Sequence, residues 1–257
     1  MISKKDINIV VAKGRENLRP LLESLAGNGV PDEARLLYKS RNRVLILRYG
    51  DKDYCVKAFR CPSLPNSLIY THLRDSKARR SFENSLRLIE MGFDAPAPGG
   101  YVEVRRNGRL RESYFVNDLV EGETIRDWEK RADAESLLDD FAAYMTRMHR
   151  AGVLHRDFSP GNFLVSRDEA GRRHFNVLDV NRMEFGVFGH DDLMRNFRAI
   201  NLKPEETARL ARKYAAAASL DAAKTEREAL GQLAAYQRSK VWHRFFKRLI
   251  GKQKKRK

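Results

Sequence analysis

Apolar residues in the first third of the chain come in short runs separated by turn residues. Leu36-Leu37-Tyr38 and Val44–Tyr49 read as two strands joined by Lys39-Ser40-Arg41-Asn42-Arg43, and Gly50-Asp51-Lys52-Asp53 turns into a third strand, Tyr54–Phe59. Pro62 and Pro65 then break the chain. From about Asp75 to Met91 the period becomes helical: Ala78, Phe82, Leu86 and Ile89 share a face, and Gly92 follows as a stop. Tyr101–Val104 and Ser113–Val116 form a hairpin around Asn107-Gly108. This first part is expected to hold five strands and one helix.

Beyond a connector, Asn117–Gly122, the pattern changes. Glu135–Arg150 is predicted helical, with Leu138, Phe141, Met145 and Met148 on one face. Phe163-Leu164-Val165 and Phe175–Leu178 read as two short strands joined across Gly171. Helices are predicted at about Asp192–Ile200, Pro204–Ala218 and Ala222–Ile250. The expected class is α+β and bilobal: residues 1–117 form an N-lobe with an antiparallel sheet and one helix, residues 118–237 a mainly helical C-lobe, and residues 238–257 a basic amphipathic tail. A cleft between two lobes is a natural ligand site.

Composition narrows the partners. The 257 residues are 42% hydrophobic, enough for a core, but carry a net charge of +16. Such a field favours an anionic partner: nucleic acid, an acidic membrane surface or a phosphorylated substrate. The two cysteines, Cys55 and Cys61, form neither a metal-ligand pattern nor a disulfide framework. The early apolar run Ile9–Ala12 is too short for a secretion signal. No stretch approaches the ~20 apolar residues of a membrane span. A cytoplasmic protein, soluble or peripheral to a membrane, is expected.

The chemistry-bearing stretch is His155-Arg156-Asp157-Phe158-Ser159-Pro160-Gly161-Asn162, followed by the apolar run Phe163-Leu164-Val165. It fits H-R-D-x-x-x-x-N before a strand. Asp179 ends the next apolar strand, 17 positions after Asn162. Phosphoryl transfer needs a carboxylate to orient the attacking hydroxyl and take its proton, and oxygen ligands to hold Mg²⁺ against the phosphates. Asp157 suits the first role, Asn162 and Asp179 the second. The bland alternative is a capping Asp157 and a turn-forming Asn162. It leaves unexplained both Asp179 and Lys57, in Val56-Lys57-Ala58-Phe59, which is placed to grip the ATP phosphates. Lys57 read alone could equally be an edge-strand lysine. Glu83 is the expected acidic partner of Lys57, with Glu90 as the second choice. Adenine is expected to bond to backbone at Asn117 and Leu119.

These residues resemble the protein-kinase-like superfamily, and within it the lipopolysaccharide core kinases, the Kdo/heptose kinase family. The catalytic loop, Leu178-Asp179-Val180-Asn181-Arg182-Met183 and the basic stretch Pro65–Arg80 carry the likeness, which runs from about Leu36 to Arg198. The resemblance implies ATP and Mg²⁺ as cofactors. It also implies a sugar hydroxyl on a lipid-A-linked inner core as acceptor, at the cytoplasmic face of the inner membrane. Two departures stand out. No G-x-G-x-x-G joins the first two strands, so Arg41 or Arg43 would supply charge to the phosphates in its place. Asp179-Val180-Asn181 replaces Asp-Phe-Gly, and Asn181 either preserves the turn or assists the metal.

The acceptor can also be argued from the residues. Only Val180–Asp191 separates Asp179 from the next helix, with no Ala-Pro-Glu and no Ser, Thr or Tyr. A glycan or small acceptor fits better than a folded protein, and Arg156 has no activation-loop phosphate to bind. Near the C-terminus, Val241, Trp242, Phe245, Phe246, Leu249 and Ile250 oppose a cationic face, as on a helix lying on an anionic bilayer. The same apolar half could instead dock on the helical lobe. A kinase of proteins or soluble small molecules, and a non-catalytic kinase-like module, remain the alternatives. Nucleic acid is disfavoured because the aromatics fall at core spacing rather than interleaving with basic residues.

Overall fold

The computed structural model describes residues 5–39, 42–59, 75–200 and 202–254, with side chains except at 5, 127 and 241–254. Arg41, most of the Pro65–Arg80 stretch and the side chains of the amphipathic tail from Val241 onward fall outside this description. The chain divides into two compact units: residues 1–123 with 164–182, and residues 124–163 with 183–257.

The first unit is built on an antiparallel six-stranded sheet: β1 (Lys5–Val11), β2 (Arg35–Lys39), β3 (Asn42–Tyr49), β4 (Lys52–Phe59), β5 (Pro98–Arg106) and β6 (Arg109–Asp118), in the order β1-β5-β6-β4-β3-β2. The β5–β6 turn is the expected one. Asn107 and Gly108 both have positive φ, 51° and 73°, as a two-residue hairpin loop following the strand twist requires.

The expected five strands and one helix are corrected here to six strands and two helices among the described residues. Helix α1 (Arg19–Asn28) and strand β1 precede everything the alternation pattern picked out. Leu18, Leu22 and Leu25 are fully buried at helical spacing, and Pro20 sits in the first turn of α1, where its missing N–H costs nothing. The alternation in β1 is weak because its partner β5 is buried on both faces. Gly100 lets the layers close: a Cβ there would stand 2.5 Å from the Val10 carbonyl oxygen and 2.6 Å from Leu22 Cδ1.

The two sheet faces have separate cores. Val56, Val102, Tyr114 and Val116 pack with α1, while Phe59, Tyr101 and Phe115 pack with Ala78 and Phe82 of helix α2 (Lys77–Glu90). Helix α2 begins where Ser76 Oγ accepts the Arg79 N–H at 3.0 Å. It ends at Gly92 (φ 78°), with the Phe93 N–H returning to the Leu88 carbonyl.

The second unit is mainly helical: α3 (Ala134–Arg150), α4 (His190–Ile200), α5 (Pro204–Ala218) and α6 (Ala222–Lys254). These follow the predicted boundaries to within a few residues. A two-residue strand, β7 (Glu123–Thr124), is followed by a 3₁₀ segment, Ile125–Lys130. Strand β8 (Val153–His155) leads into the motif loop. The predicted hairpin across Gly171, β9 (Phe163–Arg167) and β10 (Arg173–Val177), belongs apart from Phe163 to the first unit, while in the second β11 (Met183–Phe185) pairs antiparallel with β8.

If α1 is part of the core, Leu22→Ala leaves a cavity and should lower the unfolding free energy by about 2–5 kcal/mol. Urea unfolding measures this. An unchanged midpoint would make residues 1–34 an appendage.

Candidate active site

Two fully buried phenylalanines hold the motif loop in the second unit. Phe158 follows Asp157 and Phe163 follows Asn162; their ring centroids are 4.6 Å apart, and both pack on Phe141 of α3. The polar residues between them are thereby turned outward, and Asp157 and Asn162 are half-buried. Hydrogen bonds close the loop. The Asp157 N–H donates to His155 Nδ1 at 3.0 Å, and Asn162 Nδ2 donates to the Asp157 carbonyl at 2.8 Å. The Ser159 N–H donates to that same carbonyl at 2.7 Å, and the Asn162 N–H to the Ser159 carbonyl at 2.9 Å. With its amide nitrogen so engaged, Asn162 presents Oδ1, the oxygen a hard cation takes.

A buried polar relay backs the loop. Asn196 Nδ2 of α4 donates to the His155 carbonyl at 3.1 Å, and Asn196 Oδ1 lies 3.0 Å from His149 Nε2. His149 Nδ1 lies 2.9 Å from the Tyr214 hydroxyl. Asn196 Oδ1 can only accept, so Nε2 carries a proton, while the Tyr214 hydroxyl can donate to Nδ1 or accept from it. Burial lowers the His149 pKa, against the opposing effect of Asn196.

Arg156 is exposed and ion-paired. It meets Glu184 of β11 at 2.6 Å and Asp192 of α4 at 3.6 Å. The hydrogen bond to Glu184, outweighing burial, raises its pKa. Two carboxylates thus occupy the arginine that, by the sequence reading, has no loop phosphate to bind.

The remaining described candidates are in the first unit. Lys57 of β4 shares the α2-facing side of the sheet with Phe59, and its register partner on β6 is Phe115. Glu83 is exposed on α2 and binds Arg79 of the same helix at 2.7 Å; among the described residues no ion pair joins it to Lys57. Its neighbour Asn84 makes the long-range contact instead. Asn84 Nδ2 donates to the Val180 carbonyl at 2.7 Å, and Arg80 Nη1 to the Asn181 carbonyl at 2.9 Å, tying α2 to the turn after Asp179. The sequence reading missed both residues, because a bond to backbone leaves no pairing signal in the partner's side chain.

The left-handed position of that turn is Asp179 itself (φ 50°), not Asn181. Asp is among the few residues that tolerate this conformation. Asn181 is buried and donates from Nδ2 to Asp179 Oδ1 at 2.5 Å, so it orients the carboxylate.

Asn117 and Leu119 lie at the end of β6 and just past it. Asn117 is buried, its Nδ2 bound to the Asp118 carbonyl and its Oδ1 without a partner among the described residues. Asp118 takes both Arg15 guanidinium nitrogens at 2.7 Å and Lys52 at 3.0 Å. Burial would raise the Asp118 pKa, but these cations outweigh it and hold the carboxyl below its ordinary value.

A model of the lipopolysaccharide kinase (Kdo/WaaP) family matches residues 61–214. Among solved structures, the chain is similar to WaaP in complex with acyl carrier protein, with 19% identity, TM-score 0.59 and coverage of 90% of this chain and 97% of that one. It is also similar to Rio2 kinase from Chaetomium thermophilum, with 16% identity, TM-score 0.52 and coverage of 87% and 76%. These likenesses show a protein-kinase-like fold, as expected from the motif. A stretch of 72 residues is 36% identical to the serine/threonine-protein kinase PknA of Mycobacterium tuberculosis, covering 26% of this chain but only 17% of that protein.

The neutral His149 makes stability depend on pH. Its folded pKa lies below the unfolded value of about 6.5, so the unfolded chain binds the extra proton and stability falls as pH drops through that value. His149→Gln, which keeps a donor and an acceptor, should lose part of the fall in melting temperature between pH 7.5 and 5.5. Identical slopes in the two proteins would show that His149 does not titrate this way.

Proposed function

The chain belongs to the lipopolysaccharide kinase (Kdo/WaaP) family, and we propose that it transfers the γ-phosphate of ATP to a sugar hydroxyl, of Kdo or heptose type, on the inner core of lipopolysaccharide. The observation that carries this reading is the loop Asp157–Asn162. It is pinned by two buried rings and closed by the bond from Asn162 Nδ2 to the Asp157 backbone carbonyl, which leaves the Asn162 amide oxygen available on the same short loop as the Asp157 carboxylate.

In this reading Asp157 orients the acceptor hydroxyl and takes its proton as the oxygen attacks the γ-phosphorus and the bond to the β-phosphate oxygen breaks. Asn162 and Asp179 are the metal ligands; their oxygen donors suit Mg²⁺. When bound, Mg²⁺ supplies neutralisation of the charge on the phosphates. Asn181 holds the Asp179 carboxylate in position. Lys57 pairs with the α- and β-phosphates, and the backbone at Asn117 and Leu119 takes the adenine. Glu83 is in an ion pair with Arg79, so it could serve Lys57 only by exchanging partners on nucleotide binding.

The paired state of Arg156 supports an enzyme that does not wait for loop phosphorylation. Lipopolysaccharide cores are anionic and membrane-bound, and the net charge of +16 favours such an acceptor. Among the described residues no helix is long and apolar enough to cross a membrane. Work at the cytoplasmic membrane face would therefore use surface attraction, with each basic residue near an anionic surface contributing about 1 kcal/mol.

Incubation with γ-labelled ATP and extracted glycolipids, followed by mass spectrometry, should place the label on a core sugar. Asp157→Asn should lower turnover by about 10²–10⁴-fold while ATP affinity stays within twofold. Label on protein alone would exclude the sugar acceptor, and near-normal turnover of Asp157→Asn would exclude the base.

A further inference from the structure

Within the motif, Gly161 is a glycine that its backbone does not require. Its φ lies outside the left-handed region, unlike nine other glycines among the described residues. What excludes a side chain is Arg126. A Cβ at Gly161 would overlap Arg126 Nη2 and lie 3.3 Å from Cζ and 3.4 Å from Nε. The guanidinium therefore rests on the loop backbone between Asp157 and Asn162.

Arg126 is held there by a rigid segment. It belongs to the 3₁₀ turn Ile125–Lys130, whose Ile125 and Trp128 are 4% exposed. Both side chains line a small apolar cavity together with Phe141 and with Pro160, the residue before Gly161. The same apolar cluster thus fixes the turn and the loop in register.

Arg126 differs from several cations near it. Nearby cations have carboxylate partners: Arg131 with Asp133 at 2.9 Å, Lys203 with Glu129 at 3.1 Å, and Arg156 with Glu184. Arg126 is exposed and makes no ion pair among the described residues. The guanidinium meets the loop through Nη2, and a guanidinium is a planar fork of donors that suits an oxyanion.

We propose that Arg126 binds a phosphate or carboxylate oxygen of the reactants beside Asp157, and that Gly161 is glycine to admit it. The inference rests on the kinase reading and names one residue of that site. The oxyanion belongs either to the phosphoryl group in transfer or to an acidic group on the acceptor; the chemistry is shared, and kinetics separate the two.

The test is a double-mutant cycle on the full chain with ATP and extracted glycolipid, comparing wild type, Arg126→Ala, Gly161→Ala and the double variant. Arg126→Ala should lower kcat/KM by about 10–100-fold, the range expected for one charge-assisted hydrogen bond. Arg126→Lys should recover part of this. Gly161→Ala displaces only the far end of a flexible side chain, so it should fold normally and show a similar loss. In the Arg126→Ala background it should cost less than about twofold, because the group it displaces is already gone.

A rise in the glycolipid KM assigns the oxyanion to the acceptor. A lower kcat, or weaker affinity for a non-hydrolysable ATP analogue, assigns it to the phosphoryl group. Arg126→Ala activity within twofold of wild type, or Arg126→Ala and Gly161→Ala losses that multiply, would overturn the inference. If wild type turns over and Asp157→Asn does not, that failure leaves the kinase reading intact. Absence of wild-type turnover would overturn both.

Discussion

The contact between Phe158 and Phe163 is the constraint on which the candidate chemistry depends. The two rings are separated by only a short loop, are both fully buried, and pack on Phe141 and against His155. Burying a phenylalanine is worth roughly 1.5–3 kcal/mol, so both ends of the loop are held by the core of the unit. Ser159, Pro160 and Gly161 must bridge the two, and the hydrogen bonds among Asp157, Ser159 and Asn162 leave the loop little freedom. A catalytic carboxylate loses rate when it wanders, and a loop pinned at both ends limits the wandering.

A second polar shell extends that restraint. Asn196 reaches the His155 carbonyl from α4, His149 holds Asn196 from α3, and Tyr214 of α5 holds His149. Three helices are thus linked in series to one carbonyl of the loop. Burial disfavours the charged form of the His149 ring. In the first unit the same economy recurs: Asn84 and Arg80 bind α2 to the backbone beyond Asp179, and Asn181 holds the Asp179 carboxylate. Each residue with a proposed chemical role in these stretches is oriented by a neighbour without one.

Charge in this protein falls into two kinds. Much of it is tied in local pairs, such as Asp118 between Arg15 and Lys52, or Arg156 between Glu184 and Asp192. The surplus behind the net +16 is the part available to an anionic partner. Arg156 is an example of the first kind, its guanidinium met by two carboxylates beside the motif loop. Arg126 is the reverse case, a cation beside the loop that makes no ion pair among the described residues.

Most elements were readable from the sequence because their signals are local. The Asn107-Gly108 turn, the Gly92 stop, the helical periods of α2 to α5 and the spacing from His155 to Asp179 each depend on residues near one another in the chain. So does the family resemblance, which rests on the same motif. Strand β1 and helix α1 were overlooked: the partner of β1 lies far along the chain, and its face pattern makes sense only once β5 is beside it. Tertiary structure alone decided which carboxylate or amide a given cation meets. Glu83 was expected at Lys57 and is found on Arg79, whereas Asn84, one position on, points to the Asp179 turn. A one-residue change rotates a helical side chain by about 100°, and sequence periodicity does not fix the direction of a helix face to that accuracy. The identities of the chemical groups are therefore a property of the sequence, and their partners a property of the fold.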